Sequence, residues 1–152
     1  MRRTMTGFHQ DEAGDWVAEL SCLHGQHVRH RPPFWEAAWV ISVAGRDARV
    51  GQLLDCPLCD RTELPDGLRS VRTTATWDEN TVPGALLRAH RVAPGTWGLL
   101  EVQRGELRFL AETEPRLEVV VTPSQPQPIP PEVEHRVELT GPVRFRVSFL
   151  AR

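Results

Sequence analysis

The sequence predicts a mainly β protein, a small zinc-ribbon-like β module followed by a β-barrel or sandwich. Three observations carry this. Thirteen Pro and eleven Gly interrupt the chain too often for long helices. All three cysteines, Cys22, Cys56 and Cys59, and four of the six histidines fall in the first 60 residues, so the two halves differ in chemistry. Beyond them come short Val- and Leu-rich runs separated by turn signals, the pattern of an all-β domain.

In the first half, Asp15–Ser21 alternates, with Trp16, Ala18 and Leu20 on one face and Val17 and Glu19 on the other. The preceding DEAGD reads as a turn, so Thr4–His9 and Asp15–Ser21 form a hairpin. His30-Arg31-Pro32-Pro33 cannot be helix interior, because proline lacks the donor N–H. Phe34–Val43 and Val50–Asp55 are ordered segments whose type the pattern leaves open. RTELPDG, from Arg61, reads as a linker and places the boundary between domains 1–62 and 63–152.

The second half offers six strands: Leu86–Val92, Thr96–Val102, Glu106–Ala111, Leu117–Val121, Arg136–Leu139 and Pro142–Leu150. Turns are expected at Ala93–Gly95, Arg104–Gly105 and Glu114–Arg116, and a Pro-rich stretch leads to a last hairpin. No internal repeat is present.

Composition excludes several function classes. Charged residues are 25% of the chain and the formal net charge is -2, without the basic excess of a generic nucleic-acid or membrane-surface binder. All cationic side chains other than histidine are Arg. No apolar run approaches the roughly 20 residues needed to cross a bilayer, and the two Arg of the first residues lack the apolar stretch of a secretory signal. The chain is expected in the cytoplasm. Three cysteines in a reducing compartment favour a metal site over disulfides.

Cys56-Pro57-Leu58-Cys59 has the two-residue gap that lets a tight turn aim two sulfurs at one tetrahedral ion. Upstream, Cys22-Leu23-His24 sets a thiolate and an imidazole two residues apart, on the same side if the segment is extended. Together Cys22, His24, Cys56 and Cys59 form a Cys₃His set, a closed structural geometry for zinc. A module of about 60 residues buries a modest core and gains from such a staple. His24, His27 and His30 recur every three residues, and the sequence leaves open which one coordinates. A thioredoxin-like redox pair, or unliganded buried cysteines, are the competing readings of the CxxC. The His27-Val28-Arg29-His30 segment exceeds what one zinc needs. It reads equally well as a second polar site or as a solvated surface.

The run GFHQDEAGDWVAELSCLHGQHVRHRPPFW, followed by CPLC, is similar to a small bacterial domain family of unknown function, over residues 5–60. That resemblance implies no activity. LPDGL, the TVP at 81–83, His90, the GTWG at 95–98, Gly105 and Pro-Pro-Glu-Val-Glu-His at 130–135 resemble the TehB/YeaR-like domain, over essentially all of 65–152. The resemblance implies a cupin fold, a double-stranded β-helix or jelly roll, and an association with tellurite resistance and nitrate or nitric-oxide responses. In some relatives this domain precedes a methyltransferase. The sequence ends at Arg152, so methyl transfer is not carried over.

A metal-binding cupin supplies two His and a Glu from one motif and a further His from a second. His135 stands where the second-motif histidine belongs. In the first motif Gly98 holds the Glu position, the His positions fall near Val92 and Pro94, and His90 lies in phase with Val92. His90 and His135 are therefore the candidate ligands of a second divalent metal, with Glu132 or Glu134 as a third. Arg88, in phase with His90, suits an anion pocket, while Trp77 and Trp97 are read as barrel packing.

The function expected is a stress-response protein that binds a small ligand, metal or oxyanion in the barrel and carries a structural zinc. The alternative is a metal-dependent cupin enzyme, an oxygenase or isomerase using His90 and His135, which needs an open coordination position. A third is an interaction module. HVRHR at 27–31 is its only basic cluster, and near-neutral charge argues against nucleic acid. The partners expected are a small molecule or oxyanion, no membrane, and a second copy joined through edge strands.

Overall fold

The computed structural model describes all residues from Met1 to Arg152. The chain folds as two compact units, Met1–Pro57 and Leu58–Arg152. The division falls a few residues ahead of the composition boundary at 62.

The first unit is a four-stranded antiparallel sheet ordered β3-β2-β1-β4, from β1 (Arg2–Gln10), β2 (Trp16–Leu20), β3 (Gly25–Val28) and β4 (Leu53–Asp55). DEAGD makes the β1–β2 turn. Asp11 Oδ1 accepts the N–H groups of Ala13 and Asp15 at 2.9 Å each, and Gly14 supplies a φ of 80°. β2 does not bury one face only. Val17, Ala18 and Leu20 are all buried, and on the second face Val17 packs over Gly25, where a side-chain carbon would stand 2.8 Å from its Cγ1. Trp16, at its start, lies under the Arg46 guanidinium, 3.6 Å from the ring centre. The open segments resolve into a 3-10 turn over Ala38–Ile41, a short helix α1 (Val43–Asp47) capped by the Ser42 hydroxyl, and β4. Helix α2 (Pro57–Asp60) follows, with proline at the first helical position, where its missing N–H costs nothing.

The second unit is one curled, half-barrel sheet built on two long strands, β7 (Trp97–Ala111) and β10 (His135–Ala151), antiparallel to each other. Four shorter strands extend it. β5 (Arg69–Thr73) and β6 (Trp77–Asp78) pair with β10, and β8 (Leu117–Val121) and β9 (Gln127–Ile129) pair with β7. Trp97, Leu107, Phe109 and Phe145 are completely enclosed and form its core.

Three expectations are corrected here. Arg104–Gly105 is not a turn. Gly105 has φ 73°, and a side-chain carbon there would sit 2.2 Å from the Pro142 carbonyl oxygen, so the strand bulges and continues. The segments 136–139 and 142–150 are likewise one strand, β10. Its register slips between Leu139 and Val143, and Glu79 accepts the Val143 N–H at 3.1 Å. Leu86–Val92 is not a strand either. Pro83 opens a turn, with Leu86 N–H donating to the Pro83 carbonyl at 2.9 Å, and only isolated bridges at His90 and Val92 follow.

Candidate functional site

Cys22, His24, Cys56 and Cys59 come together as a buried cluster whose ligand atoms all lie within 4.8 Å of one another. Two local devices build it. Cys22 and His24 are joined by a tight turn and not by extended chain. Leu23 takes φ 72°, its N–H donates to the Leu20 carbonyl at 2.8 Å, and the Leu20 N–H donates to the His24 carbonyl at 3.0 Å. Cys56 immediately precedes α2, and Cys59 lies within its single turn.

The donor spacing fits a tetrahedral ion. Zinc–sulfur and zinc–nitrogen bonds of about 2.3 and 2.0–2.1 Å place two sulfurs ~3.8 Å apart and a sulfur and a nitrogen ~3.5 Å apart. Cys22 Sγ and Cys56 Sγ are 3.8 Å apart, and His24 Nδ1 lies 3.5 Å from the first and 3.4 Å from the second. Burial works against the protonated His24 ring, yet the Cys22 and Cys56 sulfurs outweigh it and hold it up to about 9.

The other two histidines of the first unit's triplet are engaged elsewhere. His27 Nε2 meets Asp11 Oδ2 at 2.8 Å, and the His30 Nδ1 accepts the Ala37 N–H at 3.2 Å. Arg29 and Arg31 both reach Asp15, at 2.9 and 3.1 Å. The HVRHR segment thus ties β3 and its following loop to the acidic β1–β2 turn.

In the second unit a cavity of about 290 Å³ opens on the face where alternate residues of β10 point inward, His135 and Val137 at one end and Val147 and Phe149 at the other. His90 and His135 both line it. Their main chains exchange two hydrogen bonds of 3.0 Å, and their ring centroids are 4.1 Å apart. Each ring is oriented from behind: Nδ1 of His90 donates to the Arg88 carbonyl at 3.0 Å, and Nδ1 of His135 to the Val133 carbonyl at 2.8 Å. A carbonyl only accepts, so Nδ1 carries the proton and Nε2 is each ring's remaining polar atom. Burial pushes His135 down to about 4, against the Val133 carbonyl and with a smaller push from His90, so that ring is neutral at ordinary pH.

Several expected pocket residues lie elsewhere. Arg88, Glu132 and Glu134 do not line this cavity. Arg88 is exposed on the turn that replaced the expected strand, so alternation with His90 does not apply. Glu132 is exposed on a kink of φ 62°, and Glu134 faces Arg91 at 3.4 Å. No carboxylate joins the two imidazoles. Gly98, the position where the sequence reading looked for a carboxylate, is closely packed: a side-chain carbon there would meet Ile129 at 3.1 Å. Trp97 is core as expected, whereas Trp77 lines the cavity while packing edge-on against Phe145. Sequence reasoning missed Arg72 and Phe149, which also line it, with the Arg72 guanidinium 4.6 Å from the Phe149 ring centre. No motif marks either residue.

The fold and site define a mainly β protein in two units, with a buried Cys/His centre that can hold a metal and, in the second unit, a lined cavity. The chain belongs to the TehB-like domain family, which it matches over residues 72–147, half its length. Residues 6–63 match a family described as a protein of unknown function, DUF3565. Among solved structures, TehB from Haemophilus influenzae is similar at 26% identity with a TM-score of 0.52, over 57% of this chain and 32% of that one. A protein from E. coli strain K12 is similar in fold, at 23% identity and a TM-score of 0.53, over 59% of this chain and 97% of that one. The chain thus spans about a third of the length of TehB. No curated protein matches it. No helix is long and apolar enough to cross a membrane.

Proposed function

We propose that this chain is a cytoplasmic small-ligand-binding protein of the tellurite-resistance-associated, stress-response type. In this reading residues 63–152 form a cupin-type barrel that holds the ligand, and zinc on Cys22, His24, Cys56 and Cys59 staples the module of residues 1–62. The observation that carries the binding role is the cavity itself: about 290 Å³, walled mainly by aliphatic and aromatic side chains, with a few polar groups at defined places. The zinc is structural, because four protein donors fill a tetrahedral shell and leave no position for substrate.

A second reading, a metal-dependent cupin oxygenase or isomerase, is supported by one feature. Both His90 and His135 have their Nδ1 atoms anchored to carbonyls, a hydrogen bond that fixes the ring and leaves Nε2 as the nitrogen available to a metal. Two imidazoles without a carboxylate make a poor site for iron(II) or another divalent ion, so ligand binding is the better account.

The test is a titration of the full chain with benzyl alcohol, a small neutral apolar probe, followed by the methyl resonances of Val137 and Val147. Saturable shifts confined to cavity residues are expected. Methyl resonances that stay fixed at millimolar probe would contradict the binding role.

A further inference from the structure

Resting on the reading of the cavity as a binding site, we propose that its ligand is a small organic anion, a carboxylate on an apolar body, with the anionic head at Arg72 and the body on the aliphatic wall. A bare inorganic oxyanion does not fit this description.

The charge pattern around the cavity carries the argument. Its lining contains two arginines, Arg72 and Arg91, and no aspartate or glutamate. Arg91 is already committed to Glu134. Arg72 forms no ion pair with any carboxylate of the chain, although acidic residues outnumber the basic ones, 20 to 18. Its guanidinium is held instead over the face of Phe149, itself a lining residue. Stacking on an aromatic ring leaves the planar edge of the guanidinium free for bidentate hydrogen bonds to a carboxylate. β5, which carries Arg72, is exposed along its whole length, so the cation stands at the solvent side of the cavity.

The remainder of the lining sets the other half of the ligand. Leu100, Ile129, Val137 and Val147 present only hydrocarbon, and desolvating a fully hydrated oxyanion against them has nothing to offset its cost. His135 does not supply positive charge in the interior, since burial keeps its ring neutral. A small apolar body gains burial there, while its charge stays at the mouth. His90 and His135 also line the cavity, and each ring keeps Nε2 as its remaining polar atom.

The experiment compares benzoate, benzyl alcohol and sulfate on the full chain, in the wild type and in Arg72→Gln, with Val137 and Val147 methyl shifts as the readout. Benzoate is expected to bind at least tenfold more tightly than benzyl alcohol. Arg72→Gln is expected to remove that margin, and sulfate is expected to leave both methyls unshifted. Equal affinity for benzoate and benzyl alcohol would overturn the anion preference and leave the binding role standing. If neither organic probe binds, both fail. Sulfate that displaces benzoate, or a margin that survives Arg72→Gln, would overturn the assignment of the head group to Arg72.

Discussion

The rings of His90 and His135 lie 4.1 Å apart, centroid to centroid, fixed by reciprocal main-chain hydrogen bonds and by a carbonyl behind each Nδ1. His135 is 4% exposed, and its neutral state has a thermodynamic consequence. In the unfolded chain the ring takes a proton near its ordinary value of 6.5, in the folded chain only near 4. Above pH 6.5 both states hold it neutral and it contributes no pH dependence. Between 6.5 and 4 the unfolded state binds more protons, so stability falls as pH falls, by about 3 kcal/mol in all. Urea unfolding of the second unit, followed by the indole resonance of Trp97, should show this slope in the wild type. His135→Gln should lose it.

Gly105 is predicted to be the least replaceable glycine of the second unit. A left-handed φ in a residue with a side chain costs roughly 1–3 kcal/mol, and the overlap with the Pro142 carbonyl adds to it. Gly105→Ala should lower the urea midpoint accordingly. Gly141→Ala, where a side-chain carbon meets nothing within 4 Å, serves as the control and should change it little.

The histidine triplet of the first unit should divide by role. His24→Ala should abolish zinc binding, since it removes one of four buried donors. His27→Ala and His30→Ala should keep full zinc content. The His27–Asp11 pair is half exposed and open to solvent screening, so its loss should change stability little. Zinc release to a chromophoric chelator after thiol modification measures each variant directly.

What the sequence made legible follows from local chemistry. The β1–β2 hairpin could be read because DEAGD carries its turn chemistry within five residues, and the CxxC because its spacing is itself the geometry. His24 could not be told from His27 and His30, since the choice depends on a φ of 72° at Leu23 that no propensity favours. Strand continuity was misread at Gly105 and Pro142 for a related reason: turn-forming residues also make bulges, and only the partner strand decides between them. β5 went unread because all five residues are exposed and show no alternation. Arg72 was lost with it. Its place beside the cavity is set by pairing with β10, a long-range contact without a local signature.

Elemental analysis of the purified full chain, alone and as Cys56→Ser and His135→Ala, tests the account most directly. It predicts one zinc per chain in the wild type, none in Cys56→Ser and one in His135→Ala. A wild type free of zinc, or zinc that persists without the Cys56 thiol, would contradict it.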